Sequence, residues 1–465
     1  MSDDTTFPPE LAIPPSTGEE GARLGRLTPP APLRGRLMRS AGATFGLKVG
    51  DAGATFLISV MLARILGVEG FGIYSYAMAW AVLLAIPALF GMETLTVRHV
   101  AAFLRLQAWG LLRGYLVRAF QTVTVASVVI ALAAGLVAAS MAGGTDTQMV
   151  AFWLAMLLVP LLALVRLAQA TMRGLGHIGL GFVPELAVAP ILVILMVGMG
   201  VWLRGAAFEP TWAVAMNVLA TLAALVAGLL LLWRRLPRAL AGVNAAFDTR
   251  RWYASALPLL FIGGSQIINR QADIIMLGAL QGPAAAGVYT VAARGAGLIS
   301  FVLFAVTAAV APRIAALYAA GDLQGIQALA TRTSRLILIF SLPLAAAFIL
   351  FGDMFLIIFG DDFAGGAAAL AILSVAQVIN GAAGSVGACL TMTGHERDAA
   401  RGFAVSAVVN VILNAALIPP FGMTGAAVAS GTSIVVWNAL LVLAAQRRLG
   451  IDSTVLGRSP AAARP

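Results

Sequence analysis

The sequence is poor in charged residues, in cysteine and in histidine. Only 11% of its 465 residues are charged, whereas 60% are hydrophobic; an average soluble protein has about 25% charged residues and fewer than half apolar ones. A soluble fold of this length could not bury so much apolar surface, so the composition predicts a membrane protein. The single cysteine, Cys389, excludes an internal disulfide and a multi-cysteine metal site, and the three histidines are scattered. We therefore expect neither a metal centre nor a cofactor.

Lysine is almost absent as well, because Lys48 is the only one and the net charge of +10 comes from arginine. The arginines occupy short gaps between apolar runs and do not form one basic patch, which argues against nucleic acid as a partner. The first forty residues contain no apolar run, so they predict no signal peptide. We interpret residues 1–40, rich in proline and ending in Arg34, Arg36 and Arg39, as a disordered cytoplasmic tail that contacts anionic membrane lipids.

Twelve apolar windows have the roughly 20 residues that a helix needs to cross the hydrocarbon core. They cover residues 42–64, 73–95, 116–140, 149–169, 181–203, 211–233, 254–280, 286–310, 336–359, 366–390, 403–419 and 424–445. Sixteen arginines lie in or beside the loops on the side of the two termini, whereas the opposite loops hold only Arg64 and Arg204. This asymmetry predicts a multi-pass inner-membrane protein with both termini in the cytoplasm.

Short sequence echoes indicate an internal duplication. Residues 66–74 resemble 277–289, with Gly72 and Gly287 215 positions apart, and residues 171–174 resemble 391–394 at an offset of 220. Six spans per copy is an even number, so the copies would form parallel repeats around a central cleft. The predicted parts are the tail at 1–40, an N-lobe at 41–235, a cytoplasmic linker at 236–253, a C-lobe at 254–445 and a cytoplasmic C-terminal tail at 446–465.

Several predicted spans contain polar or charged side chains, and a charge near the bilayer centre costs about 2.5–3.5 kcal/mol. The candidate substrate-binding residues are Gln266, Asn269, Arg270 and Asp273 in span seven, Lys48 and Asp51 in span one, and Arg294 in span eight. Two interpretations stay open for the i,i+3 pairs in spans one and seven. The pairs could neutralise each other and only hold helices together, or they could line a hydrated cleft and bind an anionic substrate group. In the second case the acidic residues would also suit coupling to protons or sodium.

Residues 62–74 look like the opening signature of bacterial polysaccharide-biosynthesis flippases. Residues 273–278, followed by Gly287-Val288-Tyr289, are similar to the second-half counterpart of that signature. These flippases belong to the superfamily that also contains the multidrug extruders and the lipid II flippases. The resemblance implies an all-α membrane protein of about twelve transmembrane helices in two six-helix lobes around a V-shaped cleft.

The same resemblance implies a substrate and a direction of transport. The substrate would be an oligosaccharide joined to undecaprenyl pyrophosphate, flipped to the periplasmic leaflet by alternating access for O-antigen, capsule or exopolysaccharide synthesis. Members of the family carry cations in the cleft for the pyrophosphate, and Lys48, Arg270 and Arg294 are the positions available here. A polysaccharide polymerase and a chain-length regulator are candidate partners.

Two other function classes stay open. A drug or cation antiporter of the same superfamily would export small cations without changing surface polysaccharide. A membrane enzyme, such as a polysaccharide polymerase or a glycosyltransferase, would need a large external loop or a cytosolic catalytic domain, and no predicted loop exceeds about 25 residues. We therefore expect a transporter with no catalytic residues.

Overall fold

The computed structural model describes residues 31–140 and 145–457, with side chains from residue 45 onward except at 206, 258 and 262. The first helix, Ala31–Leu89, is broken at Gly67 into α1 (31–66) and α2 (68–89). The last, Glu396–Leu449, is broken at Gly422 into α14 (396–421) and α15 (423–449). The helices between them are α3 Met92–Arg105, α4 Trp109–Ser140, α5 Asp146–Gly174, α6 Ile178–Arg204, α7 Pro210–Arg235, α8 Thr249–Leu280, α9 Pro283–Ala319, α10 Leu323–Leu350, α11 Gly352–Ile357, α12 Asp361–Ala383 and α13 Val386–Met392.

Nine continuous helices in the described part of the chain are long and apolar enough to cross a membrane. Two of these contain a glycine break that divides them into two spans each. The 32-residue α8 is long enough to be a further span. The architecture is thus the expected all-α membrane fold, and its helices are consistent with twelve spans. We call α1–α7 the N-lobe and α8–α15 the C-lobe.

The breaks between helices repeat from one lobe to the other. Gly67 has φ 67° and ψ −175°, and Gly282, 215 positions later, has φ 89° and ψ 173°. Gly205 has φ 55° and ψ −125°, and Gly422, 217 positions later, has φ 55° and ψ −132°. Glycine adopts positive φ without the steric penalty that a side chain brings. The matched glycines therefore keep the same turns in both copies of the duplication.

For the second pair of similar segments, 171–174 and 391–394, the structure shifts the pairing that the sequence suggested by two residues. Gly394 (φ 81°) ends the turn after α13, and its counterpart in the N-lobe is Gly176 (φ 85°) in the turn after α5. The sequence had paired Gly394 with Gly174. Gly174 instead lies in the last turn of α5, where a Cβ would press on Val100.

The predicted tails and linker differ from the structure at their borders. Residues 31–40, assigned to a disordered tail, are helical and belong to α1, while residues 1–30 lie outside the described residues. The linker packs along α4, because the Ala246 amide donates to the Gly110 carbonyl at 2.9 Å. Residues 450–457 of the predicted C-terminal tail pack against the C-lobe, where Ser453 is buried and Ser334 Oγ donates to its carbonyl at 2.6 Å.

Candidate substrate cleft

The two lobes meet closely at the end of the bundle that carries the breaks at Gly67 and Gly422, which we call the distal end. A Cβ added at Gly72 would overlap the Pro283 carbonyl oxygen, and one added at Gly287 would crowd the backbone of Gly72. Gly72 and Gly287 are equivalent positions of the duplication. The start of α2 and the start of α9 can therefore touch only because both lack a side chain.

Side chains add to this distal contact. Arg64, exposed at the end of α1, donates from Nε to the Ile358 carbonyl at 2.7 Å. The ring of Phe56 packs edge-on against that of Phe359, with centroids 5.4 Å apart. Phe71 and Phe363 are fully buried beside them and belong to the same hydrophobic cluster. The cleft is therefore closed at its distal end in this structure.

The charge of Lys48 interacts with the charges of two arginines, one from each lobe. Lys48 of α1 is half-buried, and its charge interacts with those of Arg173 from α5 and Arg270 from α8. The Lys48 ammonium group lies 4.4 Å from the ring centroid of Phe304 in the C-lobe and 5.8 Å from that of Phe182 in the N-lobe. These are cation–π distances. Lys48 is thus held between the lobes by aromatic rings.

Neither of the predicted i,i+3 pairs forms an ion pair. In the described part of the chain, no carboxylate lies within 4.0 Å of the charged groups of Lys48, Arg270 or Arg294. Asp51 is half-buried and interacts with Lys48 and Glu185 only at longer range. Arg270 and Gln266 are exposed. In this conformation the charges of the two i,i+3 pairs are therefore not joined by direct contact.

Asp273 has a different environment from the other predicted residues. Its side chain is buried and accepts hydrogen bonds from Tyr289 at 2.7 Å, Asn414 at 2.7 Å and Asn410 at 3.1 Å, and also from Ser430. These donors come from α9, α14 and α15, so one carboxylate connects four helices of the C-lobe. Neutral donors of this kind satisfy a buried carboxylate without a second charge.

Asn269 and Arg294 also have partners that the sequence does not indicate. Asn269 donates to the Phe403 carbonyl at 3.1 Å and accepts from Ser406, which connects α8 to α14. The Arg294 guanidinium lies over the ring of Phe71, 5.8 Å from its centroid. Arg294 therefore faces the N-lobe near the distal contact and is not part of the group around Lys48.

Sequence reasoning missed the ion pairs of the N-lobe. Arg173 pairs with Glu93 at 2.9 Å, and Arg166 lies 3.5 Å from Glu185. Both arginines are among the sixteen that the sequence assigns to the cytoplasmic side. Their spacing of seven residues, two helical turns, places them on one face of α5, and this was the available signal.

A cavity of about 510 Å³ lies within the C-lobe. Its lining includes Arg270 and Phe304, which also border the cleft, and a row of amide side chains deeper in the bundle. Within the described residues, no group of three or more histidine, cysteine or acidic side chains is arranged to hold a metal ion.

Comparisons with known proteins cover most of the chain. A family model described as polysaccharide biosynthesis protein matches residues 37–318, and a second, described as MatE, matches residues 258–416. The probable low-salt glycan biosynthesis flippase Agl15 of Haloferax volcanii is 26% identical over 165 residues. That match spans 35% of this chain and only 35% of the length of the relative.

Solved structures share the two-lobed fold. An inward-facing MATE family transporter of the MOP superfamily aligns with a TM-score of 0.71 at 15% identity, over 86% of this chain and 94% of that one. A MOP superfamily transporter from Pyrococcus furiosus gives 0.62 at 14% identity, over 88% and 95%. The lipid II flippase MurJ in an inward closed conformation gives 0.66 at 10% identity, over 88% and 87%. At these identities the likeness concerns the fold.

Proposed function

Because the chain belongs to the polysaccharide biosynthesis protein family, whose model matches residues 37–318, we propose that it flips an undecaprenyl-pyrophosphate-linked oligosaccharide across the bacterial inner membrane. As a MOP-superfamily transporter it moves a substrate across the bilayer and does not transform it chemically. The proposed direction, from the cytoplasmic to the periplasmic leaflet, is the one that the family resemblance implies. The polymerase and the chain-length regulator of the same surface polysaccharide are the proposed partners.

The observation that carries the proposal is the exposed guanidinium of Arg270 beside Lys48. An unpaired cation in a membrane protein is stabilised when it faces water or binds an anion. A pyrophosphate offers two adjacent anionic groups, and guanidinium binds phosphate oxygens through two parallel hydrogen bonds. Arg173 adds a third positive charge, although Glu93 partly neutralises it.

The remaining candidate residues have separate roles in this proposal. Asp51 and Gln266 border the anion site, and Asn269 and Asp273 fix the position of α8, so that Arg270 faces the cleft. Arg294 is the next cation towards the distal end, and it becomes available to the pyrophosphate when the distal contact separates. Rocking of the lobes about a fixed site is the usual route to alternating access in transporters built from repeats.

The chemistry of the proposed substrate determines which part passes through the cleft and which part stays in the lipid. The charged and hydroxylated headgroup needs a hydrated path, which the cleft between the lobes supplies. The polyprenyl tail is as apolar as the bilayer core, so it remains in lipid at the side of the cleft. Only the headgroup therefore has to pass the distal contact at Gly72 and Gly287.

The test is complementation of a strain that lacks the gene. Arg270→Ala and Lys48→Ala should each reduce surface polysaccharide at least tenfold and cause the lipid-linked intermediate to accumulate in the cytoplasmic leaflet. Arg270→Lys should retain part of the activity, because it keeps the charge and loses the bidentate geometry. Arg401→Ala is the matched control, since Arg401 is an exposed arginine near the start of α14. Full export by the first two variants at normal protein levels would refute the proposal.

The MatE match to residues 258–416 favours a second candidate, an antiporter for cationic drugs. The charges around the cleft argue against it. Four cations (Lys48, Arg166, Arg173, Arg270) and three carboxylates (Asp51, Glu93, Glu185) leave a positive excess, which repels a cationic substrate. Gradient-driven efflux of ethidium from proteoliposomes, with unchanged surface polysaccharide in the deletion strain, would favour the antiporter instead.

A further inference from the structure

The cavity inside the C-lobe shares Arg270 with the anion site described above, but most of its lining has no role there. Its volume of about 510 Å³ lies within the range of about 300–1,000 Å³ that is common for small-molecule sites. The described lining residues belong to α8, α9, α12, α13, α14, α15 and the turn before α13. The only charged side chains among them are Arg270 at the cleft and Asp273, whose carboxylate is already occupied by neutral donors.

The polar chemistry of the cavity is that of amides and hydroxyls. Asn438 donates to Asn380 Oδ1 at 3.0 Å, and Asn380 donates to Gln377 Oε1 at 3.1 Å. Thr307 and Ser385, which also line the cavity, share a hydrogen bond of 2.8 Å. Among the described residues, the amide nitrogen of Gln377 at the end of this row has no protein acceptor. An amide carries two donors and one acceptor oxygen, so this row can form further hydrogen bonds with a ligand.

Aromatic rings line the same cavity. Phe403 and Trp437 lie with ring centroids 5.8 Å apart at an angle of 59°, and both line the cavity. A sugar ring has hydroxyl groups around its edge and C–H groups on its faces, so it needs amide or hydroxyl partners together with an apolar ring. A polyprenyl tail would leave the amide row without partners, which is unfavourable. A free anion would find its cationic partner only at Arg270.

The cavity adjoins the proposed pyrophosphate site. Phe304 lines the cavity and contacts Lys48, and Arg270 borders both spaces. A phosphate held at Lys48 and Arg270 therefore has the cavity next to it. We propose that the C-lobe cavity binds a neutral glycosyl unit adjacent to the pyrophosphate, with the amide row of Gln377, Asn380 and Asn438 recognising its hydroxyl groups. This inference rests on the proposed function and assigns the uncharged part of the cargo to a site within one lobe.

Gly297 is a position from which a side chain can be introduced into the cavity. It lines the cavity, and a Cβ added there would meet nothing within 4 Å. Leucine is also a better helix former than glycine, so Gly297→Leu should not weaken α9. The matched control is Gly198→Leu in α6 of the N-lobe, where a Cβ likewise meets nothing within 4 Å.

The experiment measures binding of two probes to the purified full-length protein in a detergent without a sugar headgroup. The neutral probes are the methyl glycosides of glucose, galactose and N-acetylglucosamine, followed by saturation-transfer NMR, and the anionic probe is inorganic pyrophosphate, followed by calorimetry. Gly297→Leu and Gln377→Leu should weaken glycoside binding at least tenfold and leave pyrophosphate binding unchanged. Arg270→Ala should do the opposite, and Gly198→Leu should change neither.

The outcomes separate this inference from the proposed function. If no glycoside binds to the unmodified protein, or if glycoside binding is unchanged in Gly297→Leu, the cavity assignment is refuted. Should Arg270→Ala still abolish export in that case, the flippase proposal stands and the sugar binds elsewhere. If Gln377→Leu does not fold, Gly297→Leu alone decides, since its thermal unfolding can be compared directly with that of Gly198→Leu.

Discussion

In the N-lobe, Arg173 and Arg166 reach glutamates on other helices, whereas in the C-lobe the carboxylate of Asp273 receives only neutral donors. The side chains of the N-lobe pairs are 21–34% exposed, whereas Asp273 is buried. The glycine breaks, in contrast, have nearly the same conformation in both lobes. The duplication has thus kept the backbone turns, which only glycine satisfies, and has changed the polar side chains. The N-lobe carries ion pairs beside the cleft, whereas the C-lobe presents Arg270 to the cleft and contains a cavity lined mainly by uncharged side chains.

The largest loss of stability should come from removing the buried carboxylate of Asp273 in the C-lobe. Asp273→Ala leaves the donors of Tyr289, Asn410, Asn414 and Ser430 without their shared acceptor, and unsatisfied buried groups cost about 1–3 kcal/mol each. We expect the free energy of unfolding to fall by about 3 kcal/mol or more. The measurement is thermal unfolding in detergent.

The matched change in the N-lobe is Glu93→Ala. It breaks a single ion pair whose side chains are 25% and 34% exposed, and where solvent reaches such a pair it contributes about 1 kcal/mol. Equal losses of stability in Glu93→Ala and Asp273→Ala would remove the distinction between the lobes. Asp273→Asn adds a test of ion coupling: if its export still depends on a proton or sodium gradient, Asp273 does not couple transport to that ion.

The next largest effect, on export, should come from the distal contact, where the equivalent residues Gly72 and Gly287 of the two lobes touch. Gly72→Ala puts a Cβ onto the Pro283 carbonyl oxygen, so the distal contact cannot close. We expect export to fall at least tenfold, with a smaller loss for Gly287→Ala, whose Cβ has slightly more space. The measurement is complementation of the deletion strain, with Gly198→Ala as the control. Normal export by Gly72→Ala would show that distal closure is not part of the transport cycle.

A smaller effect should follow from changing the charge of the N-lobe. Glu185→Gln removes one negative charge that interacts with Lys48 and can retain the hydrogen bond with Gln169. We expect calorimetry to show pyrophosphate binding about two- to fivefold tighter at low salt, with the gain lost at high salt because ions screen exposed charges. Glu209→Gln, an exposed glutamate before α7, is the control. Weaker binding in Glu185→Gln would contradict the placement of the anion beside Lys48.

A pH dependence of stability is expected from His99 in the N-lobe. Burial, together with the positive charges of Arg98 and Arg251, lowers the pKa of His99 in α3 from 6.5 to about 4, against the opposing charge of Asp248. The folded protein therefore disfavours the charged imidazole, so His99 contributes full stability above pH 6.5 and progressively less as the pH falls towards 4. His99→Phe should flatten this decline in thermal unfolding measured between pH 7 and 4. An unchanged slope would assign the decline to other groups.

The sequence predicted the fold well because the signals that define it are local. Apolar windows mark the spans, and Gly67 and Gly422 mark the breaks, where a positive φ interrupts the helix. The predicted end of span nine at 359 was wrong, since α10 ends at Leu350 and is followed by the short α11. The apolar sequence continues through the turn between α10 and α11, so hydropathy alone could not locate the end of α10.

The candidate site was predicted less well because its contacts are between distant residues. Asp273 accepts hydrogen bonds from Asn410, Asn414 and Ser430, which lie more than 130 positions away in the sequence. A single sequence shows only the neighbours within a helical turn, which made Arg270 the expected partner. The residue types were informative even so, since the cations proposed for the anion site, Lys48 and Arg270, do lie close enough to interact.

The lone lysine has a practical consequence. An amine-reactive reagent can modify only one side chain of this protein, besides the terminal amine, and that side chain lies half-buried against Phe304 between the lobes. The rate of Lys48 acylation in the unmodified chain therefore reports how wide the space around it is at any moment. Opening and closing could be followed by mass spectrometry without engineered cysteines or attached dyes.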